Sequence, residues 1–545
     1  MARLLLGPVL RHVGQRDATV WVETDGPCTV QVLGCRAPTF KVAGHHYALV
    51  RIDGLSPGGV HEYTVELDGD QVWPERSDYP PSVIRTFTDG SPVRLLFGSC
   101  RIARPHTPPY TLSPDQREEG RGVDVLTAWA EHLRHQIPDA LPDLVLHLGD
   151  QVYSDRLSAP VLAFVSSRRS VVAGPPNEVV DFEEFAQLYR DAWSDPSLRW
   201  LLSTVPNAMI FDDHDVHDDW NTSLAWRQQQ DRLPWWHGRM VAALMTYWIY
   251  QHAGNLDLDA LAEEGLLDRL EQQREDATQV LRTFAEQAHR HPEGYRWSYR
   301  RQLGPAQLVV VDSRAGRVLE PHRRDILDAA GWTWLEEQLQ RAAKHHIVAS
   351  TLPILLPRPL HDLEAWNERV CDGAWGQRAA AAGEQLRQYL DLEHWAAFGR
   401  SFQHLMDLLR QTSIPSSERR PATINLLGGD VHFGYVAELE QPPDTVPIHQ
   451  LVCSPLRNQL DHTMKLALRA SLSRGARLVT SRLVDSANVP SPPLHWRVIH
   501  GPWFHNHLAE LRLADTRATL AVREGSTGRH PELQMRLLLR LDRGL

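Results

Sequence analysis

Short runs of alternating apolar and polar residues fill the first ninety positions, among them ATVWVET, CTVQVLG, HYALVRI and YTVEL, with SVIRTFTDG closing the series. Side chains of a strand point to opposite faces in turn, so this period-two pattern predicts strands with one buried face, and the Gly, Pro and Asp between them predict turns. A small antiparallel β-sandwich over residues 1–90 is the expectation. From position 93 the pattern changes. VRLLFGSC, LPDLVLHLGD, VPNAMIFDDHD, QLVVVDSR, HHIVASTLP, TINLLGGDVH and VPIHQLVCSP are apolar runs of strand length, each ending in polar or Gly-rich residues. Runs without alternation predict strands covered on both faces, as in a sheet layered between helices. The intervening segments supply those helices: in GVDVLTAWAEHLRHQI (122–137), Val125, Leu126, Trp129, Leu133 and Ile137 recur close to a 3.6-residue period. Two longer helical insertions, near 224–292 and 358–412, are rich in Ala, Leu, Glu, Gln and Arg. The expected fold class is α/β, a layered sandwich of β-sheets flanked by helices over 91–545, preceded by the small all-β domain.

Size and charge narrow the function classes. At 545 residues the chain exceeds the roughly 250–300 residues at which a single core stops growing, in keeping with at least two domains. A net charge of -11, from 68 acidic and 57 basic residues, gives no footprint for a nucleic-acid backbone, so no stable nucleic-acid partner is expected. Five scattered cysteines, Cys28, Cys35, Cys100, Cys371 and Cys453, lack CxxC spacing and do not read as a disulfide framework. The opening LLLGPVL is broken by Gly and Pro and reads as a first strand rather than a leader. The strongly apolar MVAALMTYWIY (240–250) falls short of the ~20 residues a membrane span needs. A cytoplasmic protein without a membrane span is expected. Trp-rich LPWWHG (233–238) and DGAWG (372–376) read as core packing before they read as lids.

Ligands of layered α/β sheets bind outside the carboxyl ends of the strands, so the residues just after each apolar run are the ones to collect. Cys100 follows LLFGS; Asp150 and Tyr153 follow VLHLG; Asp212, Asp213, His214 and Asp215 follow NAMIF; Asp430 and His432 follow INLLGG. Taken singly, a buried cysteine is an inert thiol, a Gly-Asp after a strand is a turn or helix cap, and an acidic run is a solvated loop. Four strands ending together in thiolate, carboxylate, phenolate and imidazole donors, read as lying on one side of one sheet, point instead to metal. EF-hand and HExxH spacings are absent, as are the P-loop, the GxGxxG turn and the GxSxG elbow.

FGSCR (97–101), HLGDQVY (147–153), FDDHDVHDD (211–219) and GGDVHFG (428–434), in this order, resemble the alkaline phosphatase D family, the PhoD-like branch of the calcineurin-like metallophosphatases. IDGLSPGGVHEYTVEL near the N-terminus is similar to part of a fibronectin type III or immunoglobulin-like domain. The resemblance implies a metal-dependent phosphomonoesterase or phosphodiesterase acting on a small phosphorylated substrate. It implies a binuclear centre bridged by Asp150: ferric iron (Fe3+) on Cys100, Asp150, Tyr153 and His432, and calcium (Ca2+), or another divalent cation, on Asp150, Asp213 and Asp430. His214 takes the place of the proton-donating histidine, with Asp215 orienting its ring, and Arg101 is an expected contact to the phosphoryl oxygens. His217 is read as a solvated or capping residue. Three departures accompany the match. Asp215 replaces the usual Glu, Asp218 and Asp219 replace a pair of asparagines, and ASTLP (349–353) lacks the superfamily's later histidine ligand. The alternative reading is a binding or sensing protein on a metallophosphatase scaffold.

Overall fold

A computed structural model describes residues 2–543 apart from 76–77, 137–140, 171–173, 274, 415–419 and 527–531. The alternating runs near the N-terminus form two four-stranded antiparallel sheets and a two-stranded one that pairs Val83–Arg85 with Val60–Glu62. Of the four-stranded sheets, one orders Leu4–Val13, Ala18–Thr24, His45–Ile52 and Phe40–Val42; the other orders Cys35–Pro38, Thr29–Val32, Val65–Leu67 and Asp70–Trp73. Val20, Val22 and Val50 of the first share a core with Val30, Val65 and Leu67 of the second. The outer face of the first sheet is not solvated as alternation predicts: Thr19, Trp21 and Glu23 are all buried. Helices of the following region cover it. Trp21 meets Trp193 edge-on at 6.2 Å between centroids, and Glu23 accepts from Arg190 (2.6 Å) and Tyr250 (3.1 Å).

The later apolar runs become strands of two sheets, not one. The first orders Asn207–Ile210, Leu144–Leu148, Val93–Gly98, His507–Ala514, Arg517–Ser526 and Glu532–Arg540. The second orders Tyr299–Leu303, Ala306–Val311, His345–Ser350, Thr423–Gly428, Ile448–Val452, Gly434–Leu439 and Trp496–Trp503. The strands that end at the crevice are mutually parallel within each sheet.

Alternation within the buried runs sets the layers. Leu95 and Phe97 point into a core shared with Leu308, Val310, Ile347 and Leu427 of the other sheet. Leu96, Val145 and Met209, one residue out of phase, pack against Trp129, Phe185, Leu201 and Trp248 of helices on the outside. Val309, Val348 and Leu426 likewise turn outward onto Leu335, Phe402 and Leu405 of Ala329–Leu339 and Gly399–Ser413. The result is helices, sheet, sheet, helices, with the strands that end at the crevice covered on both faces.

The predicted 122–137 helix is found as Val125–Leu133, capped by Asp124, whose carboxylate accepts from Leu126 N and Thr127 N; Ile137 lies outside the described residues. The insertions are helical at Leu224–Gln230, Trp236–Tyr247 and Thr278–Arg290, and at Arg358–Cys371, Gln377–Tyr389 and Gly399–Ser413. Among the described residues no helix is long and apolar enough to cross a membrane.

Candidate metal centre at the strand ends

Cys100 (φ 55°), Asp150 (φ 53°), Asp430 (φ 57°) and His432 (φ 55°) all adopt left-handed backbone just beyond a strand. A non-glycine residue enters that region at a cost of about 1–3 kcal/mol, and such residues gather at functional sites. At Gly149, with φ 91°, an added Cβ would lie 2.5 Å from the Asp212 Cβ, so glycine lets two strand ends approach. The sheets are tied together here by Asp430 N–H donating to Ser99 Oγ (3.0 Å) and Arg457 N–H donating to Cys100 O (3.1 Å).

These turns bring the expected donors together. Asp150 is fully buried; its Oδ2 accepts the Tyr153 hydroxyl at 3.2 Å and its Oδ1 has no partner. Asn458 Nδ2 donates to the Tyr153 oxygen at 3.2 Å, and its backbone carbonyl accepts from His432 Nδ1 at 3.0 Å. A carbonyl only accepts, so the His432 proton sits on Nδ1 and Nε2 is the free ring donor. Cys100 Sγ lies 3.2 Å from Ser454 Oγ and 3.9 Å from Asp430 Oδ1. One donor atom from each of Cys100, Asp430 and His432 lies within 4.8 Å of the others; the same holds for Asp150, Asp213 and His214, and for Asp212, Asp213 and Asp430.

Burial, then neighbouring carboxylates, push Cys100, Asp150 and Asp430 well above their ordinary pKa values, and Tyr153 follows through burial, Asp150 and Cys100. Such crowded buried acids become anions when positive charge or hydrogen-bond donors face them. The orphaned Asp150 Oδ1 and the mixed sulfur, phenol and imidazole set fit a bound cation. Arg314, which the sequence reading passed over, supplies part of that charge. Its buried guanidinium donates to Asp212, Glu393 and Asp430 Oδ2 (3.0 Å), and Asp213 Oδ1 lies 3.6 Å away. Asp212 is thereby explained as the anchor of Arg314. At the end of His345–Ser350, where the sequence resemblance led to the expectation of a histidine, Thr351 Oγ1 pairs with Ser313 Oγ at 2.8 Å.

Three expectations are corrected. Asp215 does not orient His214: its carboxylate accepts the backbone N–H groups of Asp150 (3.0 Å), Gln151 (3.1 Å), Val152 (3.2 Å) and Asp212 (2.9 Å), and the Gln251 amide (3.2 Å). Buried N–H groups of a tight turn need an acceptor, and Asp215 is theirs. His214 Nδ1 faces Asp155 instead, at 2.8 and 3.0 Å, and Nε2 lies 3.5 Å from Asp218 Oδ1. Arg101 does not reach toward a phosphate. It is buried against Asp124, with Nη2 at 2.8 Å and Nε at 2.9 Å, and its Nη1 donates to Ala192 O at 3.0 Å. The cationic residues lining the cleft are Arg104, Arg121 and Arg156, the last 3.5 Å from Asp218 Oδ2. His217 packs edge-on against Trp226 and Trp236 rather than into solvent.

A family model described as PhoD-like phosphatase matches residues 124–483, and one described as a domain of unknown function (DUF7800) matches residues 1–84. The first spans more than half of the chain, which therefore belongs to the PhoD-like phosphatase family. A solved structure titled "Structure of PhoD" superposes with a TM-score of 0.60 at 13% identity, over 99% of this chain and 90% of that one. At that identity the likeness speaks for the fold. No curated protein sequence matches.

Proposed function

We propose that the chain hydrolyses phosphate esters at a cation centre on the crevice between its two sheets. The observation that carries this reading is the convergence of Cys100, Asp150, Tyr153, Asp430 and His432 from separate strand ends, four of them in left-handed backbone. Cys100, Asp150, Tyr153 and His432 are the residues to hold a ferric iron. Asp150, Asp213 and Asp430 are those to hold a calcium or similar hard cation. When bound, the cations supply Lewis-acid polarisation of the phosphoryl group and lower the pKa of a water. His214, protonated beside Asp155, donates a proton to the leaving alcohol oxygen. Arg156 and its neighbours hold the anion at the cleft. All five cysteines are free, which favours a reducing, cytoplasmic compartment.

The test is hydrolysis of p-nitrophenyl phosphate and bis(p-nitrophenyl) phosphate by the purified protein, alongside elemental analysis. Wild type is expected to turn over at least one of them and to carry iron; Asp150→Asn is expected to lose both activity and metal. Metal and ligand binding without any turnover would establish the binding-protein alternative instead, and full activity in Asp150→Asn would remove the bridging role.

A further inference from the structure

The Arg358–Cys371 helix borders two cavities with two different faces. Leu360, Leu363 and Glu364 line the cleft at the donor cluster. His361, Ala365, Glu368 and Asp372, spaced three or four residues apart, line a second cavity of about 680 Å³. The two cavities share no lining residue. Arg400, Phe402 and His404 of Gly399–Ser413 complete the second one, together with Arg324, Trp332, Val489 and Pro490.

Arg324 is the group in this cavity whose charge nothing answers. It is 5% exposed, yet it makes no ion pair among the described residues; Nη2 donates to Thr222 O at 3.1 Å and Nε has no partner. Its guanidinium lies over the Phe398 ring, 4.2 Å from the centroid. By contrast, Arg317 pairs with Glu393 (3.1 Å), Arg387 with Glu384 (2.9 Å) and Arg400 with Asp325 (3.5 Å). The acids of the cavity are likewise engaged. Asp325 also accepts the Ser401 hydroxyl (2.8 Å), Asp372 lies 3.5 Å from His322 Nδ1, and Glu368 accepts the Gly399 N–H (2.9 Å). Burial, opposed by Arg324, pushes Glu368 up to about 7, so near neutral pH much of its charge is gone. Burial, reinforced by Arg387, depresses Arg324 to about 9, the mark of a cation short of counter-charge.

A charge taken out of water needs a partner, and the cavity is the side from which one can reach Arg324. A carboxylate matches the guanidinium fork with two parallel N–H···O bonds, and one unpaired guanidinium calls for one negative charge. Trp332, Ala365, Phe402, Val489 and Pro490 supply apolar surface for a flat ring. The volume is in the range of sites for small organic ligands and exceeds what a bare inorganic anion fills.

We propose that this cavity is a binding site for a small aromatic carboxylate, its carboxylate on Arg324 and its ring among Trp332, Phe402 and Pro490. The site is separate from the donor cluster and stands whether or not the phosphoesterase reading does.

Calorimetric titration of the metal-loaded full chain with 2-naphthoate tests the assignment. A single ion per chain is expected to bind. 2-Naphthalenemethanol, which has the ring without the charge, and acetate, which has the charge without the ring, should each bind more weakly by about tenfold or more. Arg324→Gln, which removes the charge, and Ala365→Phe, which fills the cavity, should each weaken naphthoate by about tenfold or more. Arg369→Glu, at an exposed lining position, leaves the buried packing alone and should weaken it about threefold. Asp150→Asn should bind naphthoate as the wild type does. No saturable binding by the wild type would overturn the site, as would equal affinity for the alcohol or unchanged affinity in the Arg324, Ala365 and Arg369 variants. Loss of binding in Asp150→Asn would move the carboxylate to the donor cluster and overturn it as well.

Discussion

A protonated imidazole needs an anion beside it, and His214 has several. Burial alone would lower its pKa; the Asp155 carboxylate, then Asp213 and Asp150, outweigh that and hold it well above the ordinary value. Its partner is depressed in return: burial would raise Asp155, but His214 and the Asp218 N–H hold it below the usual carboxylate range. Asp155 is thus the positioning residue for the proposed proton donor. Asp155→Asn should leave metal content unchanged and lower turnover of an alkyl phosphate by about 10²-fold, with a smaller loss on p-nitrophenyl phosphate, whose leaving group departs without a proton. Equal losses on both would show that the pair serves structure only. The residues proposed as donors stood out in the sequence because thiol, carboxylate, phenol and imidazole coincide there with strand ends. Asp155 was not, since it sits two residues past Tyr153 in a loop and only the fold turns it toward His214. Arg314 lay in plain view after QLVVVD, but a search for metal donors discards cations. The left-handed turns at Cys100, Asp150, Asp430 and His432 have no signature in residue type.

Among the elements, the seven buried runs were found where the continuous apolar pattern placed them, because strands covered on both faces leave a strong signal. Which run joins which of the two sheets was not readable, as the phase that sends Leu95 inward and Leu96 outward is invisible when both positions are apolar. The C-terminal strands escaped for the opposite reason. In Glu532–Arg540 the described burial is mostly intermediate or exposed, and ELQMRLLLR lacks turn signals of its own. Arg101 illustrates how an element claims a residue read as functional: it ties the turn after Val93–Gly98 to Asp124, the cap of Val125–Leu133. Removing one partner of a buried pair leaves the other uncompensated, so Arg101→Ala should cost about 3 kcal/mol, seen as a lower denaturant midpoint at unchanged slope. A raised KM with no loss of stability would return Arg101 to the substrate.

At the scale of the whole molecule, the N-terminal sheets are built into the core that supports the site. Arg11, 1% exposed, reaches across to Met209 of Asn207–Ile210 and to Asn255 Oδ1 at 3.1 Å, and Arg301 returns a hydrogen bond to Arg11 O at 3.2 Å. Trp21 and Tyr47 lie in one aromatic cluster with Trp193, Tyr189 and Tyr250, where Tyr189 and Tyr250 stack at 4.2 Å. Cutting the chain near residue 90 would expose that cluster and take from the remaining part the partners of its own polar groups, Glu23 from Arg190 and Tyr250 and Arg11 from Asn255. The boundary that the change of pattern marks near residue 90 is therefore expected not to be a boundary of cooperativity. Calorimetry should show a single transition for the full chain, with the fluorescence and heat signals coincident. Because the proposed metal donors come from both sheets and a cation binds only the folded state, chelation should move that one transition downward as a whole. Two resolved transitions, or a chelator shift that leaves part of the signal in place, would show that the N-terminal sandwich unfolds on its own despite the shared core.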